Sequence, residues 1–408
     1  MKTSKKDIIM LSLSIPEHVE PIRQKVLNFI EQEIYPVEAE LLADKVSSRR
    51  GDLMKGLMQK AKDQGLWALG HPEEIGGGGL PFMDYVFVNE VVGRSEIATV
   101  ALGTHSLQDS IMLHRYANDK WRNKYLEPLV AGEVFPSFGM TEPAVASSDP
   151  TQLQTKAELE GDEWVINGRK WFTSGAGNAA YTTAMVRTEF DVPDHSAFSM
   201  IVVPTDTPGY NIIRDVKVMG QADGHYEVAY DNVRVPKENL LGPRGQGFKI
   251  AQDRLGPGRI FHCMRWLGQA QRAFDLMCDR ANNRVAFGKN LGEHQQIQKF
   301  IFDTAAEIQA SRLLTLHAAQ KIDQGDEARI EIGLIKVFGA KMLHNSIDRA
   351  IQVHGALGVT EDTPLERMYR HARYARIYDG ADEVHVMTTA RRILRVYNDG
   401  AKFDFGLR

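Results

Sequence analysis

Apolar residues in this chain recur at two different intervals, and the interval changes twice along its length. Ile15, Val19, Ile22, Val26, Ile30 and Ile34 fall three or four residues apart, which lines one face of a helix. Ser14-Ile15-Pro16-Glu17 reads as a capping box opening that helix. The helical period continues through 52–69 and 84–100, is broken by the run Gly76 to Gly79, and fades near Glu133. After Pro136 strand signals take over. Asn167-Gly168, a pair favoured in two-residue hairpin turns, lies between Trp164-Val165-Ile166 and Lys170-Trp171-Phe172, and apolar or alternating runs follow at 198–203 and 226–235. From Gly245 the helical period returns over 260–285, 293–324, 327–354 and 382–397, enough for a four-helix bundle. The pattern predicts an α+β chain: an N-terminal all-α domain over 1–135, a central β-barrel-like domain over 136–243 and a C-terminal four-helix bundle over 244–408. It lacks the strand–helix alternation of a doubly wound nucleotide-binding domain.

A formal net charge of -4 over 408 residues gives no global field to gather nucleic acid or an anionic membrane, so small molecules and proteins are the expected partners. No run of eighteen apolar residues is present, so no membrane span is expected. The start is basic with a short apolar patch, Ile8 to Leu11, too short for a secretion signal. Cys263 and Cys278, placed on one helix, would lie about 22 Å apart, too far for a disulfide. A reduced, cytoplasmic setting is the expectation.

Five segments carry recognisable chemistry, in order. They are Met140-Thr141-Glu142-Pro143 followed by Ser148-Asp149, Asn167-Gly168-Arg169-Lys170-Trp171-Phe172-Thr173, Arg284-Val285-Ala286-Phe287-Gly288, Ile351-Gln352-Val353-His354-Gly355-Ala356-Leu357-Gly358, and the stretch from Met368 through Tyr378-Asp379-Gly380. Together they resemble the acyl-CoA dehydrogenase family across nearly the whole chain. The stretch from Arg254 to Arg265, Ser174-Gly175-Ala176-Gly177-Asn178 and Asp379-Gly380-Ala381-Asp382-Glu383-Val384-His385 resemble more narrowly the subgroup of members ten and eleven, of which this chain looks like the dehydrogenase part alone.

The resemblance implies FAD-dependent α,β-desaturation of a saturated acyl-CoA, as in fatty-acid β-oxidation, with electrons passing to an electron-transferring flavoprotein. Such chemistry needs a base for the α proton, a hydride acceptor, and donors for the charge that develops on the thioester oxygen. By resemblance Asp379 is the base, at a position where most of the family has Glu. The alternative base position of some members falls on Gly258, beside Arg259. Phe138, Met140, Thr141, Ser147, Ser148, Trp171, Phe172 and Thr173 are the candidates for FAD; Ser148, Arg259 and Gly380 are those for substrate. Arg284, Phe287, Gln352 and Gly355 match residues that reach the FAD of a neighbouring subunit, which implies a homo-oligomer, dimer or tetramer. Taken without the family, these threonines and serines suit β-domain packing and turns equally well, Asp379-Gly380 suits an ordinary turn, and Arg284 a solvated helix end. The run Ala144 to Ser148 is one residue longer than the family's, which leaves its contact register open.

Rival readings are weaker. Gly76 to Gly79 has no Lys-Ser/Thr after it and reads as a flexible turn rather than a phosphate loop. Arg367, Arg370, Arg373 and Arg376 read as an ion-paired helix face rather than a nucleic-acid surface, and Asp382, Glu383 and His385 as a helix start rather than metal ligands. A flavin oxidase of the same fold, or an inactive acyl-CoA-binding protein, remains as an alternative activity.

Overall fold

The computed structural model describes residues 14–43 and 48–404, so the patch Ile8 to Leu11 lies outside the described residues. The chain folds as an N-terminal helical domain, a central β domain and a C-terminal helical domain. The first part holds α1 (Glu20–Phe29), α2 (Tyr35–Leu42), α3 (Ser48–Asp63), α4 (Phe82–Val92), α5 (Glu96–Ala101), α6 (Leu107–Tyr116), α7 (Asp119–Trp121) and α8 (Glu127–Ala131). Helix α1 starts at Glu20, later than the capping box at Ser14 predicts. A helix opening at Ser14 would bury Pro21 in its interior, where a proline loses a hydrogen bond and clashes with the preceding turn; starting at Glu20 puts Pro21 in the first turn, which tolerates it. The predicted run 84–100 is two helices, because the chain turns at Gly93, whose N–H caps α4.

The β domain comprises β1 (Pro136–Gly139), β2 (Lys156–Glu160), β3 (Glu163–Ser174), β4 (Tyr181–Arg187), β5 (Phe198–Pro204), β6 (Tyr210–Asp215), β7 (His225–Pro236) and β8 (Leu240–Leu241). They form one sheet in the order β6-β7-β3-β2-β4-β5-β8, with β1 paired in parallel to β4. Asn167-Gly168 is not a hairpin turn. It lies inside β3, where the register with β7 shifts between Ile166 and Gly168, and the hairpin turns instead at Gly161, at φ +61°. Asn167 Oδ1 accepts the N–H of Asn232, and a Cβ on Gly168 would fall 2.6 Å from Thr155 Oγ1. The pair serves a bulge and a close backbone approach, the other use a sheet makes of glycine.

Beyond the sheet come α9 (Gly247–Asn283), the short pair β9 (Val285–Ala286) and β10 (Lys289–Asn290), then α10 (Gln295–Asp323), α11 (Arg329–His354), α12 (Leu365–Tyr374) and α13 (Asp382–Asn398). The four long helices are those predicted, although α9 begins thirteen residues early, and α12 carries Arg367, Arg370 and Arg373 of the stretch read as a helix face. No described helix is long and apolar enough to cross a membrane. Cys263 and Cys278 share α9 and are both free.

Two compact units emerge. One gathers 14–32, Pro81–Ser95 and 259–404; the other gathers Glu33–Leu80 and Glu96–Gly258. In the second unit the run Gly76 to Gly79 is a hydrogen-bonded turn: the N–H groups of Gly77, Gly78 and Gly79 bond Pro72, Ala68 and His71 carbonyls, and a Cβ on Gly77 would meet His71 O at 2.3 Å. In the first unit α9 buries Ile260, Cys263, Met264, Leu267 and Ala270, a helical stripe. Its backbone runs against α4, since a Cβ on Gly268 would lie 2.0 Å from Glu90 O and one on Gly93 2.3 Å from Arg265 Cα. Gly268→Ala is therefore expected to destabilise the protein by about 1–3 kcal/mol, because the two backbones must separate. Gly56→Ala on α3, with nothing within 4 Å of the new methyl, should be neutral or stabilising. Thermal melts of the two variants test this; equal melting points would refute the close crossing.

Candidate active site

The loop between α12 and α13 presents Asp379, and several side chains of its own unit fix its path. Asp379 has φ +54° and Gly380 φ +102°, so the backbone is turned into the left-handed region at two successive residues. The Asp379 carbonyl accepts from Arg259 Nε at 3.1 Å and from His385 Nε2, also at 3.1 Å. Burial, above all, lowers the His385 pKa to about 4, so the ring is neutral near pH 7 and carries its proton on the nitrogen that meets the carbonyl. Gly380 has to be glycine: a Cβ there would fall 2.6 Å from His385 Nε2.

Lys336, almost fully buried on α11, donates to Ala375 O at 2.7 Å and lies 3.7 Å from Asp382 Oδ1. Arg376 Nε donates to Asp382 Oδ2 at 2.9 Å, while the Asp382 N–H donates to Arg376 O. Asp382 thus closes the loop on itself, doing more than the helix dipole required of it. Trp266 Nε1 donates to the Tyr378 hydroxyl at 2.8 Å, and His262 Nε2 lies 3.0 Å from Asp379 Oδ2.

The flavin-type segments lie in the other unit and are tied together by a buried ion pair. Lys170 Nζ donates to Glu142 Oε1 at 2.8 Å and to Met140 O at 2.9 Å. Glu142 also accepts the N–H groups of Gln154 and Thr155 at 2.7 and 2.9 Å. Burial pulls Lys170 down to about 8 against the opposing charge of Glu142. Burial works to raise Glu142, but the Lys170 charge and these hydrogen bonds outweigh it and hold the carboxyl below its ordinary range.

Strand β3 then shifts register against β7 between Lys170 and Thr173, with Phe172 at φ +49° and 41% exposed. Thr141 and Trp171 exchange two bonds: the Thr141 hydroxyl donates to Trp171 O at 2.7 Å and the Trp171 N–H to Thr141 O at 3.0 Å. Ser147 Oγ accepts the Glu142 N–H at 2.9 Å, whereas Ser148 is exposed. Phe138 lies under the Arg254 guanidinium, which itself pairs with Asp109. Thr173 Oγ1 is buried with no hydrogen-bond partner. An orphaned hydroxyl beside a half-buried Trp171 is what the polar edge and ring of a flavin require, so these residues fit FAD.

Arg284, Phe287, Gln352 and Gly355 are all exposed, Phe287 at 97% and φ +52°. A Cβ on Gly258, the alternative base position, would fall 1.9 Å from Gln108 Nε2. Sequence reasoning missed His262, Arg265, Lys336, Lys170 and Glu142 as supports. The trace of the first two was present as polar Arg259, His262 and Arg265 spaced by three on an otherwise apolar helix.

Comparison with known proteins bears on the whole chain. The family models for the acyl-CoA dehydrogenase N-terminal, middle and C-terminal domains match residues 16–133, 137–233 and 245–394. A probable acyl-CoA dehydrogenase of Mycobacterium tuberculosis, FadE2, is 44% identical over 383 residues, covering 90% of this chain and 93% of that protein. Acyl-CoA dehydrogenase family member 11 of Rattus norvegicus is 40% identical over 391 residues, 91% of this chain but 50% of that protein, so the chain spans half the length of that relative. A solved structure from Mycobacterium abscessus, assigned to the acyl-CoA dehydrogenases, superposes with a TM-score of 0.88 at 37% identity, covering 94% of this chain and 100% of that one.

The buried pair gives a test that needs no substrate. Lys170→Met strands the Glu142 carboxylate and should cost about 3–5 kcal/mol. In the unmodified protein the Glu142 contribution is present above the ordinary carboxylate range and is lost as pH falls through its lowered pKa. Without Lys170, burial acts with less opposition and the loss should begin at higher pH. Urea melts between pH 4 and 8 report both, and an unshifted acid limb would refute the pairing.

Proposed function

Because this chain belongs to the acyl-CoA dehydrogenase family, whose members are flavin-dependent oxidoreductases acting on CH–CH groups and for which FAD is the expected cofactor, we propose that it desaturates a saturated acyl-CoA to the trans-2-enoyl-CoA. The observation that carries this reading is the Asp379 turn: a carboxylate on a left-handed backbone whose carbonyl is gripped from α9 and α13. In this reading Asp379 removes the α proton. FAD, when bound, supplies the hydride acceptor that no side chain provides. The Gly380 N–H, next to the start of α13, donates to the thioester oxygen as negative charge develops there. Arg259 holds the loop through Nε and keeps its remaining donors for substrate, with Ser148 a second polar contact.

Thr173, Thr141 and Trp171 hold FAD, with Phe138, Met140, Ser147, Ser148 and Phe172 around them. Arg284, Phe287, Gln352 and Gly355, exposed as they are, serve the FAD of a neighbouring subunit in a dimer or tetramer. The guanidinium is suited to bidentate phosphate binding. Electrons pass to an electron-transferring flavoprotein, and the reaction is the desaturation step of fatty-acid β-oxidation.

The test is anaerobic titration of the purified protein with a series of saturated acyl-CoAs, followed by admission of air. Bleaching of the flavin band with formation of enoyl-CoA and slow reoxidation is expected. Fast reoxidation with peroxide would make the protein an oxidase, and a flavin that no acyl-CoA reduces would overturn the reading. Asp379→Asn should bind FAD and acyl-CoA yet lose most of its turnover, since geometry survives without the proton acceptor. Arg284→Ala should shed FAD on gel filtration; full retention would count against its role at a neighbour's cofactor.

A further inference from the structure

Helix α9 carries Arg259, His262, Arg265 and Trp266 along one stripe, and each bears on the base loop or on a group that does. Arg259 holds the Asp379 carbonyl and Trp266 holds the Tyr378 hydroxyl. His262 approaches the carboxylate itself: Nε2 is 3.0 Å from Oδ2, with both side chains about three-quarters buried, at 24% and 22% exposure. The other ring nitrogen, Nδ1, is 3.0 Å from Nη2 of Arg265. A guanidinium only donates, so Nδ1 must present a lone pair, and the single proton of the neutral ring sits on Nε2, facing Asp379. The ring is packed against Tyr378 at 5.2 Å and Trp266 at 6.3 Å between centroids, which limits its rotation.

We propose that His262 is a positioning residue for the dehydrogenation: its Nε2–H holds Oδ2 of Asp379, keeps the carboxylate ionised and aimed, and leaves the other oxygen to take the α proton. The proposal rests on the reading of Asp379 as the base. An aspartate is one methylene shorter than a glutamate, so its reach tolerates less rotational error, and a second point of attachment on the carboxylate removes it. At 3.0 Å the two atoms are within reach but not aligned as a hydrogen bond, and the alignment is completed when substrate expels water, as poorly aligned contacts of the free enzyme do in the complex. Among the described residues, the charged or titratable groups around the pair include Arg259, Cys263 and Arg265 from α9, Lys336 from α11, His385 from α13, and Tyr378 in the loop itself.

The experiment is stopped-flow reduction of the enzyme flavin across pH by the acyl-CoA that reduces the wild type fastest. It compares wild type, His262→Gln, His262→Leu and Asp379→Asn. His262→Leu should slow reduction by about 10- to 100-fold at saturating substrate, with the apparent substrate affinity little changed. Its acid limb should move up by about one pH unit, since a carboxylate that loses a donor gains proton affinity. His262→Gln, whose amide places a donor near the same point, should recover most of the rate and the wild-type limb. If His262→Leu does not retain FAD, His262→Asn, too short to reach Oδ2, replaces it. An unmoved acid limb in the Leu or Asn variant, or a Gln variant as slow as the Leu variant, would overturn the proposal. A fully active Asp379→Asn would instead overturn the base assignment beneath it.

Discussion

The carbonyl oxygen of Asp379 is the point on which the base loop depends. A non-glycine residue in the left-handed region costs about 1–2 kcal/mol, and the loop places Gly380 there immediately afterwards. What keeps it there is the carbonyl, which receives a guanidinium N–H and an imidazole N–H from two different helices. Remove both and the left-handed conformation loses the two bonds that grip its carbonyl. The polar residues of α9, α11 and α13 that face this loop are therefore the means by which three helices fix one dihedral angle.

Three of the seven non-glycine residues of positive φ among the described residues fall where function is expected. Phe172, Phe287 and Asp379, each a candidate site residue from its motif, all have positive φ. In β3 the departure sits at the register shift against β7 and is stabilised from behind by the Lys170–Glu142 pair, which also gathers the Met140 carbonyl and the N–H groups of Gln154 and Thr155. A buried ion pair is an expensive way to hold a chain together, since desolvation offsets much of its attraction. Its use here is geometric: one carboxylate fixes three backbone segments that sequence separates by up to thirty residues, and it leaves Thr173 Oγ1 buried and unsatisfied beside Trp171. A buried hydroxyl of that kind is open to a further partner.

Period and motif revealed much of this in advance. The long helices and strands β5 and β7 were legible because burial of one face imposes a spacing, and the turn at Asp379-Gly380 because Asp-Gly before an acidic helix start is written locally, while its reading as a base came from the family resemblance alone. Asn167-Gly168 misled because glycine serves a bulge as readily as a turn, and only the partner strand decides between them. Ser14 misled because a proline seven residues later restricts where a helix can begin. The supports His262, Arg265 and Lys336 were invisible as supports for a different reason. Lys336 meets Ala375 O across 39 residues and Arg259 meets Asp379 O across 120, and no local pattern records a partner that distant.

Packing and chemistry meet on α9. The glycines that let α4 and α9 approach are Gly93 and Gly268, and the atoms a Cβ on Gly93 would strike are the Cα and carbonyl of Arg265. Arg265 is also the residue whose guanidinium fixes the tautomer of His262, three residues earlier on the same helix. A helix is stiff over two turns, so an error in the depth or rotation of α9 at Arg265 would move His262, Arg259 and Trp266 with it, and all three touch the Asp379 loop. The close crossing of two helix backbones is thus a requirement of the site as well as of the core: the dihedral angle at Asp379 can be no better defined than the seating of the helix that holds it.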